Sequence, residues 1–304
     1  MTTDTIKPVQ LTMSAKQWLM LLCLGAIWGG SFFFARIAVA EIPPLALVLF
    51  RVSIAALALH LYLAMRGPSL RLAIPHAASF VALACLNNII PFSLIFLGQT
   101  ELGAGLASVL NATTPFWTVL IANAFTRDEK LSWNKIAGIV LGIAGTAIMI
   151  GPGLLAGIGG PAWAKFALIG ASVSYGCASV YAKRFRFLPP TIIATGQLTA
   201  STVIMLPVVL TLYGSAELLT ASAPVWASVL ALALLSTAFA YILYFRLIAS
   251  AGAINASLVT LIVPVSAILL GALFLGERLE PFEFAGMALI GFGLVTIDGR
   301  LLRR

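Results

Sequence analysis

The chain has 304 residues, of which 61% are hydrophobic and 9% charged, with a mean hydropathy of +1.06. Soluble domains carry about 25% charged residues, so the composition excludes a soluble globular domain, a disordered chain and a disulfide-rich secreted module. The net charge of +8 alone would suit nucleic-acid binding, and the placement of the charges along the chain argues against such a partner.

A helix needs roughly 20 mainly apolar residues to cross a hydrocarbon core of about 30 Å. Ten segments of this kind follow one another: Trp18–Ala40, Pro44–Met65, Pro75–Leu97, Leu102–Phe125, Trp133–Ile150, Trp163–Lys183, Pro190–Tyr213, Pro224–Ile248, Ile254–Leu275 and Phe282–Ile297. Proline, glycine or charge marks the breaks, as at Glu41–Pro44, Thr126–Lys130, Gly151–Pro161 and Glu277–Pro281. The apolar runs are continuous, which excludes an alternating β-barrel pattern. The expected fold is therefore an all-α integral membrane protein with ten transmembrane helices.

With the N-terminus in the cytoplasm, 14 Lys and Arg fall on the cytoplasmic side and three, Arg36, Lys165 and Arg278, fall outside. The positive-inside rule selects this orientation, with both termini cytoplasmic. The basic balance is thus a topology signal. Lys16 and the apolar run before Ala38-Val39-Ala40 resemble a signal peptide, but the run is too long for one and is expected to stay as the first span. Cys23, Cys85 and Cys177 lie in apolar runs at no metal-ligand spacing, and read as packing residues.

Residues 79–115 and 228–264 align without gaps at an offset of 149, and twelve of 37 positions are identical. The match continues through Glu129-Lys130-Leu131 and Glu277-Arg278-Leu279 and through Gly138/Gly286 and Gly145/Gly293. Upstream, Trp28-Gly29 faces Tyr175-Gly176, and Pro44 and Arg51 face Pro190 and Gln197. The chain therefore divides into an N-terminal repeat, 1–150, and a C-terminal repeat, 151–304. Each has five helices. Because five is odd, the second copy enters the membrane upside down, giving an inverted-topology repeat with the substrate site expected between the halves.

These residues resemble the EamA family of the drug/metabolite transporter superfamily. The resemblance rests on Trp28-Gly29-Gly30-Ser31, on Pro44 with Arg51, on Pro115, and on the Gly276-Glu277-Arg278-Leu279 turn with the glycine-rich helix after it. It covers essentially the whole chain. It implies a ten-helix carrier of small metabolites, commonly an amino-acid exporter of the bacterial inner membrane, with the YddG-like aromatic amino-acid exporters as one subgroup. The first half departs from the pattern at Arg127-Asp128-Glu129-Lys130, where a glycine-led turn is expected.

Polar groups inside a membrane are costly and mark candidate sites. Asn88, Phe92, Ile95 and Gln99 share one helix face, and their repeat partners are Thr237, Tyr241, Tyr244 and Ile248. Asn87 pairs with Ser236. These two faces suit a cavity wall, in which aromatic surface holds an apolar group and amides fix its orientation. Interhelical hydrogen bonding is the competing reading. Trp28 mirrors Tyr175, with Ser179 one turn on. Asn111 and Thr260 are equivalents four residues before Pro115 and Pro264, so each proline frees the carbonyl at 111 or 260 and forms a candidate hinge. Arg51 sits about two turns inside the second helix, where it either pairs with a substrate carboxylate or a gate glutamate, or snorkels to the interface. His60 and His76 read as structural. No Asp or Glu occupies mid-helix, which favours gradient-driven export over a carboxylate proton relay.

No metalloprotease, nucleophile-elbow or phosphate-loop pattern is present, so no enzyme, cofactor or metal site is expected. The expected partners are a small-molecule substrate (amino acids and related metabolites) and the lipid bilayer, with the protein a monomer or homodimer. Multidrug or organic-cation efflux is the rival within transport. A channel or membrane scaffold is the rival outside it.

Overall fold

A backbone surrounded by hydrocarbon must satisfy every N–H and C=O internally, and helices do this locally. In the computed structural model, residues 14–125, 133–156, 160–214, 220–251 and 259–298 are described, and no strand occurs among them. Ten helical stretches follow in chain order: α1 Ala15–Ala38, α2 Pro44–Arg66, α3 Leu70–Gln99, α4 Ala104–Phe125, α5 Trp133–Ala156, α6 Ala162–Tyr181, α7 Pro190–Tyr213, α8 over 223–251, α9 Val259–Leu275 and α10 Pro281–Asp298. Six of them, α1 to α4, α7 and α8, are long and apolar enough to cross a membrane, and α5, α9 and α10 contain shorter apolar helices. Side chains such as Leu57 and Leu273, 72% and 74% exposed, would be intolerable over such a surface in water and face lipid instead.

Local chemistry sets the helix starts. Ser14 accepts from the Gln17 N–H and closes a capping box on α1. α2 and α7 each begin at the second of two prolines, Pro43-Pro44 and Pro189-Pro190, where the missing N–H has no intrahelical partner in any case.

The helices pack in matched pairs. α1 lies on α9 and α8, while α6 lies on α4 and α3. α2 packs on α7 and α8, α7 also packs on α3, and α5 packs on α10. The α5–α10 contact is backbone to backbone. A methyl built on Gly145 would fall 2.7 Å from the Gly286 carbonyl oxygen, and one on Gly293 would fall 2.6 Å from that of Gly138. Glycine is required at both crossings for that reason.

Three expectations change. The connector expected over Gly151–Gly160 is helical as far as Ala156, because α5 continues through Gly151-Pro152-Gly153. A proline removes one backbone bond and kinks a helix, whereas unwinding in an apolar setting would strand many more. α3 starts earlier than Pro75, with a 3₁₀ turn over Leu70–His76 capped by Ser69. Lys165, counted as an external loop charge, is 1% exposed in the first turn of α6, and it senses the charge of Glu283, itself 3% exposed at the start of α10. The turn at Thr126–Lys130 with Glu129, the residues around Ile254 at the start of the ninth span, Glu217, and both chain ends lie outside the described residues.

Candidate functional site

Two helices depart from α-geometry at matching places. α3 is π-helical over Cys85–Ile89, where the Ile90 N–H reaches back to the Cys85 carbonyl. Pro91 follows at once and has no N–H of its own, so the backbone register changes here. α8 is π-helical over Ala231–Phe239, and the Thr237 hydroxyl donates to the Leu232 carbonyl five residues back at 2.8 Å. These are the stretches carrying Asn87-Asn88 and Ser236-Thr237.

Between them lies a cavity of about 520 Å³. Of the residues expected to form a site, Trp28, Arg51, Asn87, Phe92, Gln99, Asn111, Tyr175, Ser179, Ser236, Tyr241, Tyr244 and Thr260 line it. Asn88 and Thr237 stand behind the wall, 0% and 1% exposed. The Asn88 amide donates to the Ser201 hydroxyl of α7 at 3.0 Å, and the Thr237 hydroxyl accepts from Arg51 Nε of α2 at 3.0 Å. They hold the wall and do not present to the lumen, because the π turns rotate each of them toward α7 or α2. Pro115 and Pro264 also lie outside the lining and differ from each other. α4 breaks into a turn at Ala112–Thr113 ahead of Pro115, and the carbonyl of Asn111 accepts the Thr114 hydroxyl at 2.7 Å and the Ser172 hydroxyl at 3.3 Å. Pro264 sits inside an unbroken helix.

The lining also includes Ser31, Phe96, Ser108, Thr114, Ile193 and Gln197, none of them among the site residues expected from mid-helix polarity and repeat pairing. Gln197 accepts from the Asn87 amide at 2.9 Å. Its position in the repeat, opposite Arg51, was the signal available for it. The aromatic surface is arranged in pairs: Trp28 and Tyr244 ring centroids are 5.3 Å apart, and the Arg51 guanidinium lies 4.0 Å over the Phe92 ring. Among the described residues, no Asp or Glu lines the cavity. At one end the Ser179 hydroxyl is exposed. At the other, Gln99 and Ser108 are both 0% exposed. The cavity is therefore open at the Ser179 end and closed at the Gln99 end. His60 bonds Thr199 on α7 at 2.9 Å and serves packing.

The EamA-like transporter family matches this chain twice, over residues 16–151 and 162–297. The chain belongs to this family. Among its relatives, the "Uncharacterized inner membrane transporter YedA" of Escherichia coli is 30% identical over 286 residues, covering 91% of this chain and 89% of that protein. The "Probable amino-acid metabolite efflux pump" of the same organism is 28% identical over 301 residues, covering 93% and 94%. A solved structure titled "Crystal structure of protein" shares the fold, with TM-score 0.66 and 19% identity over 95% of this chain and 98% of that one. This EamA-like protein is a multi-pass membrane transporter.

The closed end of this EamA-like transporter is tied by polar contacts between distant elements. Arg36 on α1 donates to the carbonyls of Gln99 and Thr100 at 2.7 and 2.9 Å, and the Gln99 amide donates to the Phe32 carbonyl at 2.8 Å. The Glu277 carboxylate accepts the Ala104 and Gly105 N–H groups at 2.8 and 3.1 Å, capping α4 from across the chain. Glu41 accepts the N–H and hydroxyl of Ser222 ahead of α8 at 2.6 and 2.7 Å. Charge at a helix N-terminus is favourable, so these contacts close that end without apolar bulk.

Proposed function

We propose that this transporter exports amino acids or closely related small metabolites across the bacterial inner membrane by alternating access. The observation that carries the reading is the 520 Å³ cavity, lined from both halves by aromatic rings with a few amides and hydroxyls. Its size falls within the range of about 300–1,000 Å³ usual for small-molecule sites. The wording of one relative's name, an amino-acid metabolite efflux pump, supports the substrate class. The inner membrane is supported by the name of another.

The two halves, 1–150 and 151–304, are read as inverted repeats of five membrane-crossing helices. The double family match supports this. So does the exchange-related packing, in which Gly145 meets Gly286 as Gly293 meets Gly138. Corresponding helix pairs are also bonded at neighbouring positions of the repeat: Ser236 of α8 donates to the Ile27 carbonyl of α1 at 3.2 Å, and Ser174 of α6 donates to the Leu86 carbonyl of α3 at 2.7 Å. With both termini in the cytoplasm, the Ser179 end opens inward and the Gln99 end is closed outward, a loading state for export. Rocking the halves reverses the two ends. Since no carboxylate lines the cavity among the described residues, transport down the substrate's own gradient is favoured over carboxylate-based proton exchange.

Reconstituted liposomes test this. Amino acids, purines and organic cations are offered with and without a pH gradient. Movement of amino acids without a pH requirement is expected, and Tyr241→Ala or Tyr244→Ala should change rate or selectivity in folded protein. If none of the panel moves, the carrier reading is wrong. Movement of cations alone would favour multidrug efflux.

A further inference from the structure

Arg51 is a buried cation, 6% exposed, on the cavity wall. Its Nε donates to Thr237 and its guanidinium lies 4.0 Å over Phe92 and 5.8 Å from the Phe96 centroid. The Nε bond is the single hydrogen bond of this side chain among the described residues, and no acceptor there takes the two terminal nitrogens. The titratable groups that face it from neighbouring elements are Tyr175 on α6 and Tyr241 on α8, whose hydroxyls are neutral at physiological pH. Guanidinium stays protonated at any physiological pH. Holding a guanidinium away from water with no counter-ion is costly, and this one borders the cavity, where a carboxylate would supply the missing partner. The repeat-equivalent position holds neutral Gln197, bonded by Asn87, so the scaffold tolerates an uncharged residue there. The charge at 51 is a feature of one half alone.

We infer that Arg51 is the carboxylate-recognition residue of the cavity, and that the molecules this protein takes are small carboxylates whose free acid group, rather than the ammonium group, is the recognised end. This deepens the carrier reading above and rests on it. The fixed Nε bond and the stack on Phe92 leave the planar fork of terminal nitrogens to meet a carboxylate bidentately. The Trp28–Tyr244 pair offers flat apolar surface for the rest of the molecule. Among the described residues an ammonium group would find neutral oxygens, among them the unpartnered side-chain oxygens of Asn111 and Gln99, and no carboxylate. The ranking of ligands follows from that asymmetry.

The test compares L-phenylalanine, 3-phenylpropionate, which lacks the ammonium group, and L-phenylalaninamide, which lacks the carboxylate, as ligands of the reconstituted protein. Losing the carboxylate should weaken binding at least about tenfold, and losing the ammonium group should weaken it less. Arg51→Gln should abolish the preference for acid over amide, and Arg51→Lys, which keeps the charge but not the fork, should restore part of it. The ligand series on the unaltered protein decides the matter even if the variants do not fold. Equal or better binding of the amide overturns the inference while leaving the carrier intact, as does a preference that survives Arg51→Gln. Silence from these three probes and from the wider panel overturns the carrier reading, and this one with it.

Discussion

Buried polar residues do two different jobs here, and sequence alone separates them poorly. Asn87 and Asn88 are neighbours with the same chemistry. One faces the lumen and the other bonds Ser201, because a π turn decides their directions. Helical spacing groups Asn88 with Phe92, Ile95 and Gln99 on one face only while the helix stays regular, and beyond the π turn the other three line the cavity without it. Arg51 stood out in the sequence as a charge about two turns inside a span, but whether it snorkels or stays buried depends on α8, which supplies Thr237. Glu41, in the turn after α1, is legible to pH. The Ser222 N–H, and then its hydroxyl, hold this carboxyl below its ordinary value of 4.5. A depressed pKa means that the ionised form is favoured in the folded protein, so the contact stabilises above pH 4.5 and is lost as pH falls below it. Thermal unfolding in detergent should show the native protein slightly above Glu41→Gln at pH 7, with the gap closing below pH 4.5. A gap of constant size across that range would show that the contact carries no stability.

At the scale of elements, apolar run length and bounding prolines located nearly every described helix to within a few residues. The deviations occur where tertiary contacts outweigh local signals. α5 runs through a Gly-Pro-Gly stretch, and α4 breaks at Ala112–Thr113 just before its proline, while α9 carries Pro264 unbroken. The glycines of α10 read alike in sequence and are not alike in packing. A side chain at Gly293 would collide with the backbone of α5, whereas one at Gly291 meets nothing within 4 Å. Gly293→Val should therefore destabilise by about 1–3 kcal/mol, as overpacking does, and lower the unfolding temperature clearly. Gly291→Val should leave it nearly unchanged. Similar losses in both variants would mean that α5 and α10 are not in backbone contact at that crossing.

For the whole molecule, the proposed cycle requires the exposed and closed ends of the cavity to exchange. In a protein whose Cys23, Cys85 and Cys177 are replaced by Ala, a membrane-impermeant thiol reagent applied from the cytoplasmic side should modify Ser179→Cys. From the outside it should reach Ser108→Cys, and faster during substrate turnover. Modification of Ser179→Cys from the outside alone would reverse the assigned orientation. The sequence by itself determined the membrane solvent, the number and order of apolar runs, the family and the two-fold internal likeness. These depend on composition and on spacing along the chain, which local physics reads directly. Only the tertiary structure decided which polar groups face the cavity, that Lys165 is buried, and which end is closed. Those outcomes depend on partners far apart in sequence, such as Arg51 with Thr237 and Glu277 with Ala104, and no local pattern specifies contacts made across the membrane between two halves of a chain.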